Sequence, residues 1–127
     1  MFFWVDIGPT KSYGQPWKNA DWYFSWRYSI YSRSVFNSYQ DLKKVDLVFV
    51  DGRFRVAGVM SSLLNIEKNF TLVVGNYFDR PEYNVISQKL GNPHTSIHNT
   101  EIFEIDRTTL KFSSIKNCLT THTKVPR

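Results

Sequence analysis

Two apolar runs separated by a segment of helical periodicity limit what this chain can fold into. The runs predict strands over Val45–Val50, which includes the unbroken stretch Leu47–Val50, and over Phe70–Val74. Such runs are typical of strands buried on both faces. Between them, apolar residues recur at spacings of three and four, which mark one helical face: Val56, Val59, Met60, Leu63 and Leu64. A strand–helix–strand unit with short connections predicts two parallel strands joined by a right-handed crossover.

Turn residues delimit further elements on both sides of this unit. Phe2–Ile7 is apolar and aromatic and stops at Gly8-Pro9, which predicts a strand followed by a loop over residues 8–19. The segment 21–39 is crowded with aromatic rings and predicts a short helix or an irregular packed segment. Pro81 suits the first turn of a helix, with Asp79 as a candidate N-cap and Gly91 as its end.

The last third of the chain predicts an antiparallel hairpin. Residues 92–100 form a polar loop, EIFEID at 101–106 alternates, and KFSSIK at 111–116 is a weaker strand. We expect one α/β domain over residues 1–116, a partial doubly wound sheet that ends in this hairpin, and a polar, frayed tail over residues 117–127.

Composition excludes several classes of protein. The chain has 127 residues, of which 42% are hydrophobic and 17% aromatic, enough for one domain with a sizeable core. A single cysteine, Cys118, excludes an intrachain disulfide and a CxxC metal site, and it suits a reducing compartment. No apolar run approaches the roughly 18 residues of a membrane span, so we expect a cytoplasmic protein without membrane contact.

The net charge of +5 permits an anionic partner without requiring one. The basic residues are scattered, and part of the charge lies in the tail. Trp17, Trp22 and Trp26 could stack on bases or sugars, but ring-rich segments are more often core. Nucleic acid binding is therefore the weakest of the functions that we considered.

Candidate site residues follow three predicted strands, where open α/β sheets bind their ligands. They are Asp6, Asp51 with Arg53 and Arg55, and Gly75 with Asn76 and Tyr77. Asp51 could act as a general base, or its carboxylate could cap the following helix. The two arginines could bind an anionic substrate or form structural ion pairs, for instance with Asp51.

No metal site or nucleophilic triad is indicated. His94 and His98 are four residues apart, but their polar, proline-containing setting argues against a helical pair of zinc ligands. The chain contains neither a GxGxxG motif nor a P-loop.

Three segments together resemble a bacterial family of class I S-adenosylmethionine-dependent methyltransferase-like proteins. They are VDIGPTKSYGQP at 5–16, DLVFVDGRFRVAG at 46–58 and NYFDRPEYNVI at 76–86. The resemblance implies a Rossmann-like fold and S-adenosylmethionine as the cofactor of the complete fold. It also implies an acceptor pocket for a small-molecule or sugar-type methyl acceptor. Asp51 would be the candidate catalytic base, Arg53, Arg55, Asn76, Tyr77 and Tyr13 would bind substrate, and Asp6 would contact the cofactor.

The chain departs from this family in two respects. In the family, a glycine-rich cofactor loop lies upstream of the DIGPT element, and no such loop follows a predicted strand here. We therefore expect a carboxyl-terminal half that binds the cofactor weakly or not at all. The family also carries Asp-Asp where Gly75-Asn76 stand, which weakens any case for a divalent metal. A half-sheet would leave one edge strand unpaired and one apolar face uncovered, so we expect self-association or a missing amino-terminal segment. The alternative to a methyltransferase function is a non-catalytic remnant or interaction module that needs a partner.

Overall fold

The computed structural model describes residues 32–38, 41–51, 54–78 and 81–122. The predicted strand Phe2–Ile7 and the loop after it lie outside these residues. So do three of the candidate site residues, Asp6, Tyr13 and Arg53, and the candidate cap Asp79.

A four-stranded sheet organises the described residues. Its strands are β1 (Leu47–Val50), β2 (Phe70–Val74), β3 (Thr95–Ile97) and β4 (Thr100–Ile105), in the order β1-β2-β4-β3. β1 and β2 are parallel, with Val50 beside Val74, whereas β4 runs antiparallel to both β2 and β3. The structure therefore confirms the predicted parallel pair. The sheet as described is mixed, with one parallel and two antiparallel pairs, in an α/β fold.

Within the described residues, four α-helices accompany the sheet: α1 (Ser34–Ser38), α2 (Arg55–Asn65), α3 (Asn84–Leu90) and α4 (Phe112–His122). α2 is the predicted crossover helix, and it packs against β1 and α4. Its apolar positions Val59, Met60 and Leu63 are completely buried. Arg107 donates to two carbonyl oxygens at the end of this helix, that of Leu63, at 2.8 Å, and that of Ile66, the residue after the last one of α2.

The core lies on one face of the sheet. Leu72 and Val74 of β2 and Phe103 of β4 point to this face and are buried. On the opposite face Leu47 and Phe49 of β1 are 58% and 60% exposed. The prediction that this first strand is buried on both faces is therefore wrong for the part of the chain that the structure describes, because the face that carries Leu47 and Phe49 is largely exposed there.

The predicted carboxyl-terminal hairpin is present but uses different residues. β4 pairs with β3, inside the segment predicted as a polar loop, whereas residues 112–122, predicted as a strand and a frayed tail, form α4. Ile115, Cys118 and Leu119 are buried at helical spacing, and α4 packs on α2. Burial of this face outweighs the weak local strand pattern, so the regular structure continues to His122.

The signals at the ends of the third helix are partly confirmed. Pro81 begins a 3₁₀ turn, Pro81–Tyr83, which leads directly into α3. Gly91 ends α3 with φ +80° and ψ −166°, a conformation that essentially only glycine adopts. None of the helices among the described residues has the length and apolarity needed to cross a membrane.

Candidate functional site

Backbone conformations that favour glycine lie close together on the side of the sheet where β1 and β2 reach their carboxyl ends. We call this side the site edge, or simply the edge. Among the described residues other than glycine, Phe54, Asn76 and His98 have positive φ angles, of 58°, 50° and 52°. Phe54 precedes α2 just beyond the end of β1, and Asn76 follows β2. His98 lies in the turn between β3 and β4, which reaches the same edge because Glu101 pairs with Val74. Such conformations cost free energy and cluster at functional sites.

Arg55 joins the ends of the two parallel strands. Its Nη2 lies 2.8 Å from Oδ1 of Asp51, and its Nη1 donates a hydrogen bond to the carbonyl oxygen of Gly75. Its guanidinium carbon also lies 5.8 Å from the ring centroid of Tyr83. The Arg55 side chain is only 6% exposed, whereas that of Asp51 is 55% exposed. The buried guanidinium of Arg55 thus holds the solvent-accessible carboxylate of Asp51 in place. This agrees with the ion-pair alternative for this arginine.

Asp51 does not occupy the cap position of α2. The residue at that position is Phe54, in the left-handed conformation and without a side-chain cap bond. Asp51 lies three residues before this position, and it forms an ion pair with Arg55. A Cβ atom added to Gly75 would lie 3.7 Å from Oδ1 of Asp51 and 3.7 Å from the ring of Phe49. Both are ordinary van der Waals distances, so Gly75 lies directly beside the Asp51 carboxylate, and a Cβ atom there would only touch it.

Tyr77 and Asn76 lie at the same edge in different surroundings. Tyr77 is buried, its hydroxyl donates to the carbonyl oxygen of Tyr83 at 2.9 Å, and it also bonds to the hydroxyl of Ser87. Its ring centroid lies 6.2 Å from that of Phe103. The Tyr77 hydroxyl therefore anchors α3. Asn76 is exposed, so its amide is the accessible one of the two predicted side chains.

The turn between β3 and β4 holds the segment after β2 in place. The carbonyl oxygen of Asn99 accepts from the backbone amide of Tyr77 at 2.8 Å, and its Oδ1 accepts from that of Phe78 at 2.6 Å. The sequence analysis missed Asn99, because it placed this residue in a structureless loop. No local signal links residues 99 and 77, since the contact arises only when β4 pairs with β2.

Glu101 is a second residue that the sequence analysis missed. It is 2% exposed and accepts a hydrogen bond at Oε2 from the hydroxyl of Ser96, at 2.7 Å. The sequence analysis noted that EIFEID alternates without assigning Glu101 to a face, and in the structure Glu101 shares the buried face of Phe103 and Ile105. A carboxylate in a buried position of a strand was therefore a usable signal.

The described residues do not assemble a metal site or a reactive thiol. No group of three or more His, Cys, Asp or Glu side chains within them could hold a metal ion. Burial raises the pKa of the Cys118 thiol above its ordinary value, and the charge of Lys89 opposes this shift. Cys118 is therefore protonated at neutral pH, unlike a nucleophilic cysteine. Its sulfur lies 3.6 Å from Nδ1 of His122.

One solved structure supports the resemblance found in the sequence. It is a methyltransferase-like protein from Silicibacter pomeroyi DSS-3, which superposes with a TM-score of 0.77 at 27% sequence identity and covers 96% of this chain. The fold is methyltransferase-like. The chain spans 60% of the length of that protein. No protein-family model and no curated protein matches the sequence.

Proposed function

We propose that this chain supplies the acceptor side of an S-adenosylmethionine-dependent methyltransferase fold. The observation that carries the proposal is the accessible carboxylate of Asp51, held by the buried Arg55 at the edge where open α/β sheets bind ligands. The similarity to a methyltransferase-like structure supports the choice of reaction class. The acceptor would be a small molecule or a sugar.

In this proposal Asp51 orients the acceptor and takes its proton. A carboxylate that is ionised and fixed by a guanidinium can accept a hydrogen bond from an acceptor O–H or N–H group and then remove the proton. The exposed amide of Asn76 lies at the end of the neighbouring strand, where it could hold a second polar group of the same ligand. Precise placement of the acceptor is the main contribution that such a site makes to the rate.

The described residues do not fit the cofactor itself. Of their glycines, Gly58 lies inside α2, Gly91 ends α3, and Gly75 stands alone after β2, so none belongs to a glycine-rich loop after a strand. S-adenosylmethionine would supply an electrophilic methyl group, but these residues offer no cradle for its amino-acid part. We therefore expect the chain by itself to bind S-adenosylmethionine weakly or not at all. Isothermal titration calorimetry that gave micromolar affinity would contradict this expectation.

The acceptor role can be tested without the cofactor. A library of small hydroxylated ligands, including monosaccharides, would be screened against the ¹⁵N-labelled protein by NMR. We expect ligands to shift the amide signals of Asp51 and of residues 75–77, and Asp51→Asn to weaken these shifts. Asp46→Asn is the matched control, because Asp46 is an exposed acid just before the opposite end of β1. Shifts that Asp51→Asn leaves unchanged, or that Asp46→Asn removes equally, would overturn the proposal.

A non-catalytic interaction module is the second candidate, and the open face of β1 favours it. Leu47 and Phe49 expose large apolar side chains side by side on this face. On this alternative the protein self-associates, and Phe49→Thr weakens the association while Val35→Thr, on α1, does not. Sedimentation velocity over a wide range of protein concentration measures the effect. A strictly monomeric wild-type protein would contradict the alternative.

A further inference from the structure

An open cavity of about 430 Å³ lies between the helices α1, α2 and α4. α4 packs on α2, and α1 contacts α2 as well. The volume falls within the range of small-molecule sites, roughly 300–1,000 Å³. The lining takes residues from each of the three helices or from the position next to it, among them Arg33, Asn37, Leu64, Asn65, Lys116 and Leu119.

The charged side chains that line this cavity among the described residues are both positive. They are Arg33 and Lys116, and both are exposed. The sequences of α1, α2 and α4 contain no Asp or Glu. Ion pairs in the part of the chain that the structure describes involve Lys44, Arg55 and Lys68, so neither cation of the cavity is neutralised by one. The cavity therefore offers two unpaired positive charges to a ligand.

Two buried hydroxyl groups without a hydrogen-bond partner lie next to lining residues in the chain. They belong to Ser32, which is 6% exposed, and to Ser61, which is completely buried. Ser32 directly precedes Arg33, and Ser61 lies one helical turn before Asn65 on the same face of α2. No other buried side-chain oxygen or nitrogen within the described segments lacks a partner. Because such a group costs free energy until it is paired, both hydroxyls point to an acceptor that comes from outside the chain.

The cavity is separate from the site edge that carries Asp51. Its residues on α2, Leu64 and Asn65, belong to the last turn of that helix, whereas Arg55 begins it. With a rise of about 1.5 Å per residue, Arg55 and Asn65 are about 15 Å apart along the helix. A ligand in the cavity would therefore not occupy the place of a methyl acceptor held by Asp51.

We propose that this cavity binds a phosphate monoester of a small organic molecule. A phosphate monoester carries a charge of about −1.5 to −2 at neutral pH, which two cations balance. The guanidinium of Arg33 would contact two phosphate oxygens, and the ammonium of Lys116 would act as a point charge beside them. Since the cavity is much larger than a phosphate group, the organic part would lie against Leu64 and Leu119. The hydroxyl of Ser61 would donate to the ligand or to a water molecule bound with it.

Phenyl phosphate is the probe, and phenol and inorganic phosphate are its two halves. Each is titrated into the ¹⁵N-labelled protein in a phosphate-free buffer and followed by NMR. Phenyl phosphate should bind about tenfold more tightly than phenol, which lacks the charge, and than inorganic phosphate, which lacks the apolar part. The amide signals of Asn65, Lys116 and Leu119 should move. Equal affinity for phenyl phosphate and either half, or shifts confined to the site edge, would overturn the proposal.

Two variants assign the binding to the cavity. Arg33→Gln and Lys116→Gln each remove one positive charge, and each should weaken the binding of phenyl phosphate about tenfold. Lys111→Gln is the matched control, because Lys111 is an exposed lysine just before α4 that does not line the cavity. All three variants lower the net charge equally. An equal loss in Lys111→Gln would indicate general attraction to a basic surface, and full affinity in Arg33→Gln and Lys116→Gln would exclude the two cations. Either result would overturn the proposal.

Two neighbouring serines separate binding from stability. Ser61→Ala removes a hydroxyl that has no partner in the chain, so the free energy of unfolding without ligand should stay the same or rise, while phenyl phosphate binds more weakly. Ser62→Ala is the control, because the hydroxyl of Ser62 donates to the carbonyl oxygen of Gly58 at 2.8 Å, and it should leave the affinity unchanged. An affinity that Ser61→Ala leaves intact, or that both substitutions lower equally, would contradict the role of Ser61. None of these experiments involves Asp51 or S-adenosylmethionine, so this proposal and the methyltransferase proposal can fail separately.

Discussion

Arg55 shows how a single side chain can hold a site together at the residue scale. Its guanidinium is buried, yet each of its observed partners is a group at or near a strand end or a helix start: Asp51, Gly75 and Tyr83. A planar guanidinium presents several donors in fixed directions, which a lysine ammonium cannot reproduce. Arg55 therefore links Asp51 and Gly75, the residues that directly follow β1 and β2, at the edge where ligands are expected.

Arg55→Met keeps much of the volume of the side chain but removes its donors. The buried carbonyl oxygen of Gly75 then loses a hydrogen bond, so we expect the free energy of unfolding to fall by about 1–3 kcal/mol. Urea denaturation measures the change. Lys116→Met, at an exposed position of α4, is the control and should alter stability by less than about 0.5 kcal/mol. Equal effects of the two substitutions would contradict the role assigned to Arg55.

The buried thiol of Cys118 should make the free energy of unfolding depend on pH in the alkaline range. In the unfolded chain the thiol ionises at about pH 8.5, whereas burial raises the pKa of Cys118 in the folded chain. Above pH 8.5 or so the unfolded chain therefore binds fewer protons than the folded one, and the free energy of unfolding decreases as pH rises. We expect Cys118→Ala to make this decrease shallower in urea denaturation at a series of pH values.

The control for this prediction is the neighbouring imidazole. His122→Gln leaves the thiol in place, so the slope with pH should match that of the wild type. An unchanged slope in Cys118→Ala would show that the thiol does not contribute.

At the scale of elements, two glycines give opposite predictions for the same substitution. Gly91 ends α3 at φ +80°, with no atom within 4 Å of the position that a Cβ would take, so its requirement is conformational and not steric. Gly91→Ala should destabilise the protein by about 1–3 kcal/mol. Gly58 lies inside α2, and a Cβ there would meet Val50 at 3.4 Å. Gly58→Ala should therefore be neutral, or stabilising by up to about 1 kcal/mol. Thermal denaturation of both variants tests the contrast, and a similar loss in each would contradict it.

Elements with a strong local pattern were predictable, and those that depend on a partner were not. β1, α2, β2 and the end of α3 at Gly91 follow from apolar runs, helical spacing and turn residues. β3 has three exposed residues, so nothing in its composition separates it from a loop until β4 pairs with it. For α4, the apolar positions Phe112, Ile115 and Leu119 have helical spacing, but dividing the segment at residue 116 concealed this period.

At the scale of the whole molecule, topology determined which predicted site residues came together. Asp51, Arg55, Asn76 and Tyr77 meet at one edge because parallel strands end on the same side of a sheet. The sequence could not separate their roles, since the burial of Arg55 and Tyr77 depends on helices and strands distant in the chain. Glu101 and Asn99 join them through an antiparallel strand, a type of connection that the prediction of parallel strands did not include.

The two hydrogen bonds that Asn99 accepts also determine how slowly certain amide protons should exchange with solvent. Tyr77 and Phe78 follow β2 in an irregular segment, where exchange is ordinarily fast, yet both donate their amide protons to Asn99. We expect Asn99→Ala to accelerate exchange at Phe78, which loses its acceptor Oδ1. Tyr77 should stay protected, because its acceptor is the backbone carbonyl. Hydrogen–deuterium exchange followed by NMR resolves the two amides, and equal acceleration at both would mean that the turn opens as a unit. The exchange rates of these two amide protons would then measure how often the hydrogen bonds at the edge that holds Asp51 and Glu101 open.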